Sequence, residues 1–229
     1  MINRNMENTS NTVNHYQTNM DNSPTILYWA GALFNHKELI GNLTLAKAVE
    51  NVSNRRYHVR LPQNLQSPPS ATAVDLRNTD LTELIQCDAV VANFDGTDLD
   101  SGTVVEFCVA KALDMPTVLL RTDFRNCGDA EGIPWNLMCS GWSRTEILLS
   151  NSLADYHRHA IEDLPNILAD KIIHSMDKAC AMKPWLAADD AAAHFRRTVQ
   201  SIGGGLETIL TDERIAAIVE RKRRKGLLA

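Results

Sequence analysis

Four acidic side chains lie within the fifteen-residue segment NFDGTDLDSGTVVEF, residues 93–107: Asp95, Asp98, Asp100 and Glu106. Hydrophobic stretches precede and overlap this segment, so its carboxylates stand beside parts of the chain that a fold would bury. Carboxylates in such a place can act as nucleophiles and as general acids. A pair with different tasks is the usual equipment for cleaving a bond at an anomeric carbon. The segment therefore predicts either glycosidic-bond chemistry or a turn that caps a helix.

Two interpretations of Glu106 follow from the local pattern. Residues 103–106, TVVE, fit the S/T-x-x-E capping box, in which the Glu106 carboxylate accepts a hydrogen bond from the Thr103 amide. Asp100 or Ser101 could equally cap this helix. In the functional interpretation, Glu106 stands on the first turn of the helix and points into the rim of a sheet, where the helix dipole keeps it ionised as a nucleophile. The pattern alone leaves both open.

The elements that must position these acids follow from the alternation of strand-like and helix-like segments. The apolar run over residues 25–34 predicts a first strand followed by a turn at Gly31. Further strand patterns cover residues 56–62, 88–95 and 116–123, and helix patterns cover residues 36–52, 73–87 and 102–115. This alternation predicts an α/β domain with a parallel sheet and helices on both faces. Ligands of such sheets bind at the carboxyl ends of the strands. The acidic segment, and RTDFR at residues 121–125, follow strands and are therefore expected at that rim.

The remaining parts of the chain differ in composition. Residues 1–24 are rich in Asn, Thr and Ser, bury little apolar surface and are predicted to be a disordered tail. Residues 25–150 form the predicted α/β domain. Beyond Trp135 the patterns are mostly helical, and residues 151–229 are expected to be a helical C-terminal extension that serves as a lid or in oligomerisation. SIGGGLE, residues 201–207, is predicted to be a turn between helices.

Composition narrows the class of protein. A net charge of −5 gives no reason to expect a broad nucleic-acid-binding surface, and no segment resembles a membrane span or a signal peptide. The 5 cysteines are scattered without a C-x-x-C pair, which predicts reduced thiols, no zinc site and a cytoplasmic location. The basic run ERKRRKG at residues 220–226 has two interpretations. It could be a targeting or nucleic-acid-binding patch, but such a run is more often the solvated end of a helix.

Three segments taken together resemble the nucleoside 2-deoxyribosyltransferase family: LYWAGALF, DLTELIQCDAVVANFDGTDLDSGTVVEF and PWNLM. The similarity runs from about residue 26 to about residue 142. It implies a flavodoxin-like α/β fold, a double displacement on 2'-deoxynucleosides with free nucleobases as partners, a homo-oligomer, and no metal or organic cofactor. Some family members end soon after the NLM segment, whereas this chain continues well beyond it.

The resemblance also implies catalytic roles for four residues. Glu106 matches the nucleophile that forms a covalent 2-deoxyribosyl-enzyme, and Tyr28 matches the tyrosine that orients it. Asp100 matches the residue that holds a sugar hydroxyl, and Asp80 matches the carboxyl that meets the base. Each has a structural alternative as well. Tyr28 could simply pack a strand, and Asp80 could be the N-cap of a helix over LTELIQC.

Four further positions are expected to bind substrate. Gln63 matches a base-contacting glutamine, although it could be only a loop residue. Asn136 matches an asparagine donated across a subunit interface, although it could merely cap a turn. Gly31, after the first strand, and Gly102, in the acidic segment, complete this set of predictions.

Two other functions use the same features. An N-glycoside hydrolase of nucleosides or 5'-nucleotides is the nearest alternative, and a non-catalytic nucleoside-binding sensor is another. A nucleotide hydrolase needs phosphate donors, typically in a Gly-, Ser- or Arg-rich loop after the first strand. Here that loop is AGALFN, which is largely apolar and argues against a phosphate site.

Overall fold

The computed structural model describes residues 23–229. The predicted disordered tail lies outside these residues, apart from its last two positions. The strands are β1 (Thr25–Ala30), β2 (Tyr57–Arg60), β3 (Ala89–Asn93), β4 (Thr117–Arg121) and β5 (Thr145–Leu149). The helices are α1 (His36–Val52), α2 (Ala73–Gln86), α3 (Ser101–Ala112), α4 (Ser152–Arg158), α5 (Leu164–Ala181), α6 (Ala188–Ile202), α7 (Leu206–Ile209) and α8 (Asp212–Arg224).

The strands form a single sheet within the described residues, in the order β2-β1-β3-β4-β5, and every pair is parallel. This is the flavodoxin-like order, and it confirms the predicted fold class. The order reverses between β1 and β3, because the chain leaves β1 towards one edge of the sheet and β3 towards the other. In folds of this kind the ligand crevice is expected at the carboxyl ends of these two strands.

The strand β5 differs from the prediction, which was mostly helical after Trp135. Its sequence TEILL is short, and a short apolar run does not distinguish a strand from a helix. The segment becomes a strand because β4 offers it an open edge, where Thr117 to Arg121 pair with Thr145 to Leu149. This contact between distant residues has no local signal.

Alternate side chains of β1 enter two different hydrophobic layers, as the pleat of a strand requires. Leu27 and Trp29 pack on the face covered by α1 and α5. Tyr28 and Ala30 pack on the opposite face, against α2 and α3. Both faces are covered, as expected of a parallel sheet. Tyr28 is therefore directed towards the helices that carry the acidic residues.

The C-terminal helices divide between these two faces. The helix α5 contacts α1, β4 and β5, so it belongs to the layer that covers the sheet. The helices α6, α7 and α8 contribute Phe195, Leu206 and Ile218 to the core on the α2–α3 face. The boundary at residue 150, and the role of a lid or of oligomerisation, stay predictions.

The basic run near the C-terminus forms the expected end of a helix, with Arg223 and Arg224 exposed, but it is solvated only in part. Lys222 is 2% exposed and donates to the Cys87 carbonyl. Arg221 and Lys225 contact the fully buried Asp88, at 3.1 Å and 2.8 Å. Burial would raise the pKa of Asp88, but Lys222 and its other partners outweigh burial and lower it. These charges attach α8 to the turn before β3.

Candidate active site

The closest polar contact at the predicted site joins Tyr28 to Glu106. The Tyr28 hydroxyl donates a hydrogen bond of 2.5 Å to Glu106 Oε1. Tyr28 is 0% exposed and Glu106 is half-buried. Tyr28 therefore does more than pack in the core, because its buried hydroxyl is hydrogen-bonded to a carboxylate.

The start of α3 resolves the two interpretations of Glu106. Asp100 is the N-cap, and its Oδ2 accepts hydrogen bonds of 2.7 Å from both the amide and the hydroxyl of Thr103. The Thr103 amide is thus occupied by Asp100, and the capping box with Glu106 is wrong. The predicted alternative cap at Asp100 is confirmed.

The expected position of Glu106 on the first turn of its helix is wrong as well. The helix α3 begins at Ser101, so Glu106 lies in its second turn, beyond the region where the helix dipole is strong. Burial raises the pKa of Glu106 to about 7, while the hydrogen bond from Tyr28 lowers it and the charges of Asp80 and Asp100 raise it. The group that favours its ionised form is therefore the tyrosine hydroxyl.

Asp80 lies in the interior of α2. The helix begins at Ala73 and is capped by Thr72 in a capping box with Asp75, so the prediction of Asp80 as an N-cap is wrong. Burial raises the pKa of Asp80. Its charge raises the pKa values of both Tyr28 and Glu106. The structure therefore brings Asp80, Tyr28 and Glu106 together from three separate elements.

Gln63 lies in a 3-10 turn, Pro62–Asn64, directly after β2. Its Nε2 donates to the Leu39 carbonyl at 2.9 Å, and its Oε1 accepts from the Asn42 amide at 3.4 Å. Asn42 is buried and also bonds the Trp29 indole. Gln63 is thus tied to α1 at the carboxyl edge of the sheet, and its contact with a base stays a prediction.

Gly31 and Gly102 each lie where a side chain of another residue comes close to the backbone. A Cβ at Gly31 would lie 3.2 Å from the Asn93 Cβ, so the ends of β1 and β3 meet there with little space. A Cβ at Gly102 would lie 3.2 Å from Asp100 Oδ2 and would crowd that carboxylate. Both positions border the crevice, and their contact with substrate stays a prediction.

Asn136 is exposed at the start of a 3-10 turn, Leu137–Cys139. Its Oδ1 accepts a hydrogen bond of 3.0 Å from the Met138 amide. The capping alternative is confirmed. Its contribution across a subunit interface stays a prediction.

A reciprocal clamp fixes the loop that leads to Asp100. Asp95 accepts hydrogen bonds from the Thr122 amide at 2.5 Å, the Thr122 hydroxyl at 2.7 Å and the Asp123 amide at 2.8 Å. In return, Arg121 donates to the carbonyls of Phe94 and Gly96. The sequence placed RTDFR at the same rim, but the pairing of Arg121 with the acidic loop was not foreseen. Among residues 23–229, Asp98 accepts a hydrogen bond only from the next amide, that of Leu99, as expected of a residue that shapes a turn.

A cleft of about 260 Å³ lies at the carboxyl ends of β4 and β5 and not between α2 and α3. Its lining includes Arg121, Phe124, Arg125 and Asn151. Neither Tyr28, on β1, nor Glu106, on α3, lines this cleft. Burial, perturbed pKa values and the short hydrogen bond are therefore better guides to the chemistry than the size of the cleft.

Residues 23–229 contain no group of three or more His, Cys, Asp or Glu side chains arranged to hold a metal ion. In the same part of the chain, no helix combines the length and the apolar character that crossing a membrane would require.

The fold and the site together define a flavodoxin-like α/β protein with a tyrosine-bonded glutamate and a second carboxylate facing it. The family model of nucleoside 2-deoxyribosyltransferases matches residues 27–138, which include Tyr28, Asp80, Asp100 and Glu106. Over this segment, the chain belongs to the nucleoside 2-deoxyribosyltransferase family.

Several solved structures are similar to this chain. A conserved protein from Enterococcus faecalis V583 is 22% identical, with a TM-score of 0.50 over 66% of this chain and 98% of that protein. A 2-desoxiribosyltransferase from Leishmania mexicana is 22% identical, with a TM-score of 0.45 over 60% of this chain and 100% of the other. A 2-deoxyribosyltransferase from Bacillus psychrosaccharolyticus is 18% identical, with a TM-score of 0.43 over 71% of this chain and 100% of the other. At these identities the first similarity supports the fold alone. A comparison with curated proteins finds no match.

Proposed function

We propose that this protein is a transferase that exchanges the nucleobase of 2'-deoxynucleosides through a covalent 2-deoxyribosyl intermediate on Glu106. The observation that carries the proposal is the 2.5 Å hydrogen bond from Tyr28 to Glu106, with Asp80 across the crevice. Family membership over residues 27–138 supports the same chemistry. Gln63, Gly31 and Gly102 border the same rim and are proposed to contact the substrate.

In the first half-reaction, a Glu106 oxygen attacks C1' and forms the glycosyl ester while the bond from C1' to the base nitrogen breaks. Asp80 donates its proton to the departing base. Its raised pKa suits this task, because a larger fraction of the carboxyl carries a proton at neutral pH. Burial also raises the pKa of Tyr28, so this hydroxyl remains a hydrogen-bond donor and holds the Glu106 carboxylate in place.

In the second half-reaction, a nitrogen of the incoming base attacks C1' and releases Glu106. The proton of that nitrogen returns to the Asp80 carboxylate, so the enzyme is restored. Two inversions at C1' give net retention. Asp100 uses one oxygen to cap α3, which leaves Oδ1 to accept a hydrogen bond from a sugar hydroxyl. The residues of this chain therefore supply the nucleophile, its orientation, the proton and a sugar contact.

Hydrolysis of 5'-nucleotides is less well supported because a carboxylate occupies the loop after β1. Glu38 Oε2 accepts hydrogen bonds from the amides of Phe34 and Asn35, at 2.8 Å and 3.3 Å. The Asn35 side chain takes the amides of Lys37 and Glu38 at the start of α1. The amides that could bind a phosphate at this helix terminus are therefore already bonded, and the nearby negative charge repels one.

We also propose that the protein assembles with copies of itself. Exposed apolar side chains concentrate in residues 137–149, and they are Leu137, Met138, Trp142, Ile147 and Leu149. Such a concentration is typical of an interaction surface. Asn136 borders it, which agrees with the role implied by the family for a partner's site. Light scattering of the wild type and of Met138→Glu tests this, and a wild-type monomer at micromolar concentration would refute it.

Exchange and hydrolysis are separated by incubating the protein with deoxyinosine, with and without adenine. Formation of deoxyadenosine only when adenine is present supports the transferase. Release of free deoxyribose at an equal rate in both mixtures would instead identify a hydrolase. An absence of turnover with purine and pyrimidine deoxynucleosides would leave a nucleoside-binding protein.

The same assay on Glu106→Ala tests the nucleophile, with Glu131→Ala as the matched control because Glu131 is exposed. We expect exchange to be lost in the first variant and unchanged in the second, with both variants folded as judged by circular dichroism. Near-normal exchange by folded Glu106→Ala would remove this residue from the mechanism.

A further inference from the structure

The loop Gly203–Gly205 joins α6 to α7 and lies against α2, the helix that carries Asp80. Asn78 Nδ2 donates to the Gly204 carbonyl at 2.8 Å, and Arg77 Nη2 donates to the Gly203 carbonyl at 2.8 Å. Asn78 is 3% exposed. A buried side-chain amide bonded to another segment fixes the position of the helix that bears it. The C-terminal helices therefore hold α2 through this loop.

The three glycines are required by the backbone at this contact. Their φ angles are +66°, +69° and +82°, a region that side chains other than glycine rarely adopt. A Cβ at Gly204 would lie 2.3 Å from Arg77 Nη2. The loop therefore approaches the guanidinium so closely that any side chain at Gly204 would have to displace it.

Arg77 precedes Asp80 by three positions on α2, a spacing at which opposite charges on a helix can pair. They do not pair here, and Arg77 forms no ion pair with any of residues 23–229. Its Nε and Nη2 instead donate to Asn78 Oδ1, at 3.3 Å and 2.8 Å, while Nη2 also reaches Gly203. The loop and Asn78 thus hold the positive charge away from Asp80.

We propose that the Gly203–Gly205 loop is a positioning element that withholds Arg77 from Asp80 and so preserves the protonated acid that the leaving base requires. Asn78 and Arg77 are the positioning residues through which it acts. The inference rests on the proposed function, in which Asp80 is the general acid. It gives the C-terminal helices a part in catalysis without any contact with substrate.

Within the described part of the chain, the charged groups around Asp80 include no cation that is paired with it. Tyr28 on β1 and Glu106 on α3 lie across the crevice, and the charge of Asp80 raises the pKa values of both. On α2, Glu83 pairs with Arg60 at 3.5 Å. The C-terminal helices also reach α2 at a second place, where Arg221 donates a hydrogen bond to the Gln86 carbonyl. This contact is far from Asp80. Arg77 is therefore the cation whose release would change Asp80.

Gly204→Ala tests the proposal, with Gly226→Ala as the matched control. Gly226 has a φ of +67° and no atom within 4 Å of its Cβ position, so its variant reproduces the backbone strain without touching α2. The exchange reaction is measured against pH. In Gly204→Ala we expect kcat to fall about tenfold at neutral pH with little change in KM, and the limb of the pH profile that reports Asp80 to move down by about one pH unit. Gly226→Ala should leave the profile unchanged.

The double variant Gly204→Ala with Arg77→Gln separates charge from general damage. Removal of the cation should return the limb that reports Asp80 to its wild-type position. If the limb stays displaced, or if Gly204→Ala has a wild-type profile, the proposal is overturned. Asn78→Ser provides a second route to the same release of Arg77 should Gly204→Ala fail to fold, with the same outcomes decisive.

A titration that needs no turnover distinguishes this inference from the proposed function. The Asp80 carboxyl carbon is followed by NMR in the wild type, Gly204→Ala and the double variant, with Asp80→Asn to assign the signal. A lower Asp80 pKa in Gly204→Ala that the double variant restores supports the loop's role even in a protein without exchange activity. Equal pKa values in all three proteins contradict it even if exchange occurs.

Discussion

The Tyr28 hydroxyl lies 2.5 Å from Glu106 Oε1, and this hydrogen bond joins residues 78 positions apart in the chain. Tyr28 belongs to β1, which lies between β2 and β3, and Glu106 belongs to the helix that follows β3. The two meet because β1 and β3 are neighbours at the point where the strand order reverses. The bond gives the buried carboxylate a donor where burial and two nearby acids disfavour its charge.

Replacement of Tyr28 by phenylalanine should slow exchange and shift its pH dependence. The nucleophile must be ionised, and the wild-type acid limb is expected near pH 7, where Glu106 titrates. Loss of the hydroxyl removes the contact that lowers this pKa, so the limb should move upward by about one unit. Rates of exchange from pH 5 to pH 9 measure the shift.

Tyr57→Phe is the matched control for this experiment. Tyr57 is also buried on a strand, and its hydroxyl donates to Asp177 on the opposite side of the sheet. Its variant should keep the acid limb near pH 7. An unmoved limb in Tyr28→Phe would mean that the hydroxyl does not control the charge of Glu106.

Glu106→Gln should stabilise the fold above neutral pH while abolishing exchange. The pKa of Glu106 rises from 4.5 to about 7 on folding, so the folded state binds more protons between these values and stability falls as the pH rises through them. The cost is fully present above pH 7 and absent below pH 4.5. Glutamine carries no charge and still accepts from Tyr28, so we expect a gain on the order of 2–3 kcal/mol at pH 8.

Urea unfolding of Glu106→Gln and of the wild type at pH 4 and pH 8 measures this gain. The stability of the exposed-site control Glu131→Gln should match the wild type at both values. If the gain in unfolding free energy over the wild type is the same at pH 8 as at pH 4, Glu106 titrates normally.

Asp95→Ala should destabilise the protein much more than Asp98→Ala, although the two acids are only a few positions apart. Asp95 bonds two amides and a hydroxyl beyond β4, whereas Asp98 bonds only the amide next to it. Removal of Asp95 leaves several donors unpaired and costs about 2–4 kcal/mol, whereas Asp98→Ala should stay within about 0.5 kcal/mol. Urea unfolding compares the two, and equal losses would contradict the clamp.

Glu38→Gln should reduce the discrimination against 5'-phosphorylated substrates. Glutamine can keep the hydrogen bonds to the Phe34 and Asn35 amides while removing the negative charge. We expect the ratio of kcat/KM for deoxyinosine over its 5'-monophosphate to fall about tenfold, which corresponds to about 1.4 kcal/mol. Glu50→Gln, on the same helix at its far end, should keep the wild-type ratio. An unchanged ratio in Glu38→Gln would show that the phosphate does not approach this loop.

The sequence by itself determined most of the fold. The helix predicted over residues 36–52 matches α1 residue for residue, and the other predicted strands and helices of the first 123 residues agree with the structure apart from their ends. In these elements the spacing of apolar residues matches the period of a helix or of a strand, so the local sequence was enough to predict their secondary structure. The strand β5 has no such signal, because pairing with β4 decides its conformation.

The tertiary structure decided which way the acidic side chains face. The same four residues TVVE fit a capping box, yet Asp100 occupies the Thr103 amide and Glu106 reaches Tyr28 instead. The sequence placed Glu106 near a helix dipole, whereas burial and neighbouring carboxylates govern its pKa. Likewise, the sequence predicted a solvated basic end for α8, whereas Arg221 and Lys225 pair with the buried Asp88 and only Arg223 and Arg224 are exposed. Composition and period are local properties, while desolvation and charge pairing depend on segments that only folding brings together.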